Sequence, residues 1–230
     1  MTTTLKQRWD ETVADVEAIC RSCGRDPRDV RIVAVSKTVE PPVVAEALAA
    51  GATDFGENRT KPFAEKQGLY PQARWHLIGQ LQSRKAREVV GKAFLIHSVD
   101  RSSLLQAIQK EAAKLGVTQD VLMEVSISGE ESKGGIAPAQ LPALLEEACT
   151  CPNVRVRGLM TMAPAGDLAE ARRVFEGLRI VKEKMQAAYG SRDTIELDEL
   201  SMGMSQDYAA AIAEGATMVR IGRRIFSSEF

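Results

Sequence analysis

Eight times along the chain a short apolar segment is followed by a connection, usually at helical spacing, and this alternation narrows the fold more than any other feature. The strand-like segments fall at 31–37 (RIVAVSK), 52–58 (ATDFGEN), 74–79 (RWHLIG) and 94–100 (FLIHSVD). They continue at 121–128 (VLMEVSIS), 154–162 (VRVRGLMTM), 195–203 (IELDELSMG) and 217–226 (TMVRIGRRIF). Between them, helical patterns cover 42–50, 102–115, 139–149, 168–189 and 206–214. Several are followed by glycine (Gly51, Gly116, Gly190, Gly215), the residue best suited to a left-handed helix end. Strands joined by helical crossovers pair in parallel, and eight of them predict a single (β/α)8 TIM barrel. A doubly wound open sheet is the alternative. It uses fewer strands, and no GxGxxG follows the first one.

An additional N-terminal helix is expected over about 3–23, with Leu5, Trp9, Val13, Val16 and Ile19 at helical spacing. The barrel then runs over about 31–230 as one domain, with no C-terminal β-domain, and the N-terminal helix takes the place of an eighth barrel helix. Thirty basic residues stand against 31 acidic ones, a balance without the electrostatic footprint of a nucleic-acid binder. No apolar run reaches the roughly 20 residues of a membrane span, and the first ten residues lack the apolar core of a signal peptide. A cytoplasmic protein is expected. Cys20 and Cys23, like Cys149 and Cys151, lie at the ends of helical stretches, away from the contexts that mark zinc or redox sites.

In such a barrel, chemistry sits at the carboxyl ends of the strands. Side chains alternate along the first strand, so Val33, Val35 and Lys37 share one face. If the valines point inward, Lys37 reaches the mouth, where partial burial would favour its neutral, nucleophilic form. Asn58 and His76 close the second and third strands, where a helix cap and a core hydrogen-bonder are the plain readings. Ser201-Met-Gly-Met-Ser205 offers two hydroxyls and backbone N–H groups ahead of a helix, and Arg220-Ile-Gly222 follows on the last strand. Together they predict an anion site of the kind barrels build after strands seven and eight. A lysine able to form a Schiff base, opposite a phosphate site, points to a phosphorylated aldehyde or ketone.

The segments AVSKT, DFGEN, WHLIGQLQSRK, ISGEESKGGI, RGLMTMAP, LSMGMSQDY and MVRIGRRIF, in this order, resemble the pyridoxal phosphate homeostasis protein family. The likeness extends over nearly the whole chain, and the family is similar in fold to the barrel domain of alanine racemase. It implies pyridoxal 5'-phosphate (PLP) as cofactor, held as a Schiff base on Lys37. The phosphate would be held by Ser201, Ser205 and backbone groups around Met204, Gly222 and Arg223. Arg220 would face the pyridine nitrogen, and Asn58 and His76 would lie near the ring. Arg223 and Arg224 stand where small residues are expected. If Arg223 offers only its N–H the phosphate site survives, and if its side chain turns in it adds positive charge.

An arginine keeps its proton, so it leaves the pyridine nitrogen largely unprotonated and the cofactor a weaker electron sink. A racemase also needs a second base, and Tyr70, Tyr189 and Tyr208 lie in helical or loop segments with no evident claim to the site. Efficient racemisation is therefore not expected, and the role that the resemblance implies is a non-catalytic buffer or carrier of PLP in vitamin B6 homeostasis. Such a protein would be a monomer, with PLP-accepting apo-enzymes as partners and no nucleic acid or membrane. A weak amino-acid racemase is the second reading, and a cofactor-free Schiff-base aldolase is the third. Residues 129–135 (GEESKGG) lack the order of a P-loop and are expected to form a gating loop at the mouth. The cluster 84–87 (RKAR) is expected to start a helix with a solvated face.

Overall fold

The computed structural model describes residues 3–129, 134–190 and 192–227. The tip of the expected gating loop, 130–133, and the last residues, 228–230, lie outside them. Eight parallel strands close into a barrel in sequence order. They are β1 (Arg31–Val35), β2 (Asp54–Glu57), β3 (Arg74–Leu77), β4 (Leu95–Val99), β5 (Gln119–Glu124), β6 (Val154–Met160), β7 (Ile195–Met204) and β8 (Met218–Ile221). Closure is made by β1 against β8, with Arg31 beside Met218 and Val33 beside Arg220.

The strand parity puts two kinds of residue in two places. Val33, Leu95, Leu122, Met160 and Met218 pack inside the barrel. Their neighbours Ala34, Ile96, Val121, Leu159 and Val219 face the surrounding helices in the larger core. That core is a layer of helices: α1 (Leu5–Ser22), α2 (Pro41–Ala50), α3 (Thr60–Leu69), α4 (Ala86–Val89), α5 (Ser102–Leu115), α6 (Leu141–Ala148), α7 (Leu168–Tyr189), α8 (Tyr208–Ala213) and α9 (Arg223–Phe226). Helix α1 starts on a capping box between Thr4 and Gln7 and packs across α2, α8 and α9. Its Arg8 Nε donates to the Ile225 carbonyl at 2.8 Å, so α1 covers the seam between β8 and β1 as expected.

Three local expectations need correction. The last strand ends at Ile221, and residues 223–226 form a turn of helix, with the Phe226 N–H on the Gly222 carbonyl at 2.9 Å. Helix α3 occupies a segment without clear apolar periodicity, for which the sequence pattern gives no helix bounds. Gly51 and Gly116 do end their helices left-handed (φ 109° and 66°), whereas Gly190 stays right-handed at φ −65°.

Candidate cofactor site at the carboxyl end of the barrel

A cavity of about 740 Å³ opens at the carboxyl ends of the strands. Val35 and Lys37 line it from the end of β1, Asn58 from beyond β2, and Ile78, Gly79 and Gln80 from beyond β3. Glu124 closes β5, Met162 follows β6, and Met204, Ser205 and Asp207 come from the β7–α8 turn. Arg220, Gly222 and Arg223 complete the ring from β8 and its sequel. Seven of the sequence-chosen residues are thus brought together: Lys37, Asn58, Met204, Ser205, Arg220, Gly222 and Arg223.

Lys37 keeps the inward face that strand alternation assigns it, but the expected partial burial is absent. The strand ends at Val35, so Lys37 sits two residues beyond it, in a turn, and is exposed. What is buried is the support beneath it. Lys66 Nζ, on α3, donates to the Ser36 carbonyl at 2.8 Å and to Glu57 Oε1 at 2.7 Å, and Ser36 Oγ donates to the same oxygen at 2.7 Å. Both charged side chains are almost fully buried (6 % and 0 % exposed), so this ion pair ties the peptide before Lys37 to the end of β2.

On the opposite side, Ser205 Oγ accepts the Gly222 N–H at 3.3 Å, joining the ends of β7 and β8. The Met204 N–H, expected to face an anion, donates instead to Asp207 Oδ1 at 2.5 Å. Burial raises Asp207 above the usual carboxylate range, against that hydrogen bond and the charge of Arg220. Arg223 is exposed on the cavity side, while Arg224 turns away to Asp15 of α1 (3.4 Å) and the Tyr208 ring.

Ser201 and His76 are placed beneath the cavity floor, not on its lining. Ser201 Oγ takes a hydrogen bond from Arg220 Nη1 at 2.7 Å and meets His97 Nδ1 at 2.9 Å. His76 contacts His97 and Asp54 and is fully buried. Burial pulls Arg220 down to about 10, which still leaves it cationic at neutral pH, with Asp207 and Glu124 as the nearby carboxylates.

Glu124 is the functional group that sequence reasoning passed over. Burial, with Asp100 adding repulsion, pushes it up to about 7, although Gln80 Nε2 donates to it at 2.6 Å. Its signal was available: it shares inward parity with Leu122 and ends its strand. The tyrosines are engaged elsewhere, the Tyr70 hydroxyl on the Pro41 carbonyl, Tyr189 on Pro142 and Tyr208 on Asp15. Burial pushes the Cys20 and Cys151 thiols up, away from the thiolate form that ligation or redox chemistry uses.

A closed parallel barrel whose strand ends gather an amine, a guanidinium and a small hydroxyl around one cavity defines a class. The family described as alanine racemase, N-terminal domain, matches residues 13–229. An alanine racemase of Clostridium difficile 630 shares the fold at 15 % identity, with a TM-score of 0.72 over 94 % of this chain and 56 % of that one. Within the class, the chain belongs to the pyridoxal phosphate homeostasis protein family. A relative of that name from Aquifex aeolicus is 40 % identical over 223 residues, covering 96 % of both chains. PipY of Synechococcus elongatus PCC7942, solved with PLP bound, is 37 % identical, with a TM-score of 0.82 over 94 % of this chain and all of that one.

Proposed function

We propose that this protein binds PLP in the cavity, joined to Lys37 as a Schiff base, and serves PLP homeostasis as a buffer or carrier without efficient catalysis. The observation that carries the reading is the convergence of Lys37, Arg220 and the hydrogen-bonded Ser205–Gly222 pair on one cavity. The donor set fits the group. Lys37 would supply the amine for the aldehyde, and Ser205, Gly222 and Arg223, which line the same cavity, would hold the phosphate. Arg220 lines the cavity and, being a donor only, would suit an unprotonated pyridine nitrogen. PLP supplies an electron sink when bound, and an arginine opposite its ring nitrogen keeps that sink weak.

The PLP-bound relative supports the cofactor, and the names of the relatives support the role. The exposure of Lys37 supports release, since an incoming amine of an apo-enzyme would reach the cofactor there and leave the lysine free. The reading carries with it a monomeric, cytoplasmic protein. Among the described residues no helix is long and apolar enough to cross a membrane.

The second reading, a weak amino-acid racemase, is favoured by one observation, the Glu124 carboxyl poised at about 7 in the same cavity. It predicts steady interconversion of an amino acid's enantiomers, lost in Lys37→Ala.

Absorption spectra of protein incubated with PLP and then freed of unbound PLP, with and without borohydride, test the proposal beside Lys37→Ala. The expected result is a visible band in the wild type that borohydride removes, trapping PLP on Lys37, and no such band in the variant. A wild type that stays colourless with PLP would overturn the reading and bring the cofactor-free aldolase forward.

A further inference from the structure

Arg220 stands at the head of a row of buried polar side chains that crosses the barrel interior. Its Nη1 donates to Ser201 Oγ at 2.7 Å, and its Nη2 donates to the Thr161 carbonyl at 3.0 Å. From Ser201 the row runs to His97 Nδ1 at 2.9 Å, from His97 Nε2 to His76 Nδ1 at 2.9 Å, and from His76 Nε2 to Asp54 Oδ1 at 3.0 Å. Asp54 opens β2 at the far, amino-terminal end of the barrel. There Arg74 Nη2 meets its other oxygen at 2.6 Å and Arg31 Nε lies 3.6 Å away. None of the five side chains in the row is more than 4 % exposed.

The two ends of the row fix its direction. A guanidinium only donates and a carboxylate only accepts. His76 therefore carries a proton on Nε2, facing Asp54. If His76 is neutral, its Nδ1 accepts, so His97 donates from Nε2. A neutral His97 then accepts at Nδ1, and the Ser201 hydroxyl donates to it while receiving Arg220. Every donor and acceptor along the row is used once, and no other neutral arrangement achieves this. Burial pulls both imidazoles below their ordinary range, His97 well below it. The surrounding charges support neutrality. His76 faces Asp54, Arg31, Arg74 and the other ring, while His97 faces His76, Arg220 and Arg31. An imidazolium in the middle would meet cations from both ends, with one carboxylate to offset them.

We propose that this row is a one-way hydrogen-bond relay, Arg220 to Ser201 to His97 to His76 to Asp54, in which the last four are positioning residues that hold Arg220 on the cavity floor toward bound PLP. The proposal rests on the PLP reading for its ligand. The relay itself is a property of the protein without PLP.

The chain has only two histidines, so nitrogen-15 NMR of the imidazoles reads the relay without assignment ambiguity. In the PLP-free protein both rings are expected as the neutral Nε2–H tautomer, unchanged from pH 8 to pH 5. A doubly protonated His76, or an Nδ1–H tautomer on either ring, would overturn the relay. PLP is then added, with binding followed by absorbance in the same sample. The His97 Nδ1 resonance is expected to shift in the wild type and in Ser201→Thr, which keeps the hydroxyl. In Ser201→Ala that response disappears and the PLP Kd rises about tenfold, the scale of one charge-assisted hydrogen bond. An unmoved His97 in wild type that has demonstrably bound PLP would overturn the positioning role. Failure of PLP to bind at all would sink the functional reading and the positioning role with it, leaving the apo tautomers to decide the relay.

Discussion

At the scale of single residues, the cavity depends on close approaches as much as on polar groups. Gly79 follows β3, and a Cβ there would lie 2.3 Å from the Asn58 carbonyl oxygen and 2.7 Å from its Cα. Those are backbone atoms, so they cannot swing aside as a side-chain tip would. Gly79→Ala is expected to displace Asn58 from the cavity wall, lower stability by about 1–3 kcal/mol and weaken PLP binding. Gly68→Ala is the control. It lies in α3 with nothing within 4 Å, so it should stabilise the helix by up to about 1 kcal/mol and leave PLP binding unchanged. Urea unfolding and an absorbance titration with PLP read both variants, and equal PLP affinities would refute the argument. The residues that the sequence makes legible here are those governed by local rules. Alternation places Lys37 on the inward face, but its exposure depends on β1 stopping at Val35. The partnership of Lys66 with Glu57, or of His76 with His97, joins residues on different elements and leaves no local mark.

Elements show the same division. The helices at 102–115 and 168–189 are found at their expected bounds because a sustained apolar stripe defines them. Helix α3 escapes notice because Pro62 and Gly68 interrupt it and its buried positions are few. The final apolar run reads as one strand, yet Gly222 ends β8 and the next four residues wind into α9. That turn gives α1 an influence on the site. Asp15 of α1 accepts the Tyr208 hydroxyl of α8 and pairs with Arg224 of α9, whose first residue lines the cavity. Asp15→Ala should therefore cost about 1–2 kcal/mol in urea unfolding and raise the PLP Kd several-fold, although Asp15 is remote from Lys37. Lys6→Ala breaks only an exposed pair with Asp10 on the same helix and should change stability by less than about 0.5 kcal/mol. An Asp15→Ala protein with wild-type PLP affinity would separate α1 from the site.

For the whole molecule, the closed barrel follows from the number of strands and their inward parity, both of which survive errors of a residue or two at strand ends. The polar row through its interior does not follow, because it is assembled from five different strands, and its energetics belong to the folded chain alone. That makes pH the variable to which the molecule responds as a unit. His76 and His97 are held neutral below their ordinary value of 6.5. The unfolded chain takes up protons below about pH 6.5, and the folded one only at lower pH. The stability of neutral burial is thus present above that pH and lost progressively beneath it, by at most about 1.4 kcal/mol per pH unit for each histidine. Glu124 works the other way. Its folded value of about 7 against 4.5 means the native state binds the extra proton in that window, adding a similar amount per unit as pH falls. Asp207, raised by burial, has the same sign in the carboxylate range, while Asp54, held low by His76, Arg74 and Thr53 against its burial, withdraws support only in stronger acid. Two losses against one gain leave a net fall of at most about 2 kcal/mol between pH 6.5 and pH 5. Glu124→Gln removes the opposing contribution and should deepen that fall, whereas His97→Gln should shrink it. Urea unfolding at pH 6.5 and pH 5 measures all three proteins, and a wild type equally stable at both would mean that the buried histidines accept protons without unfolding the barrel.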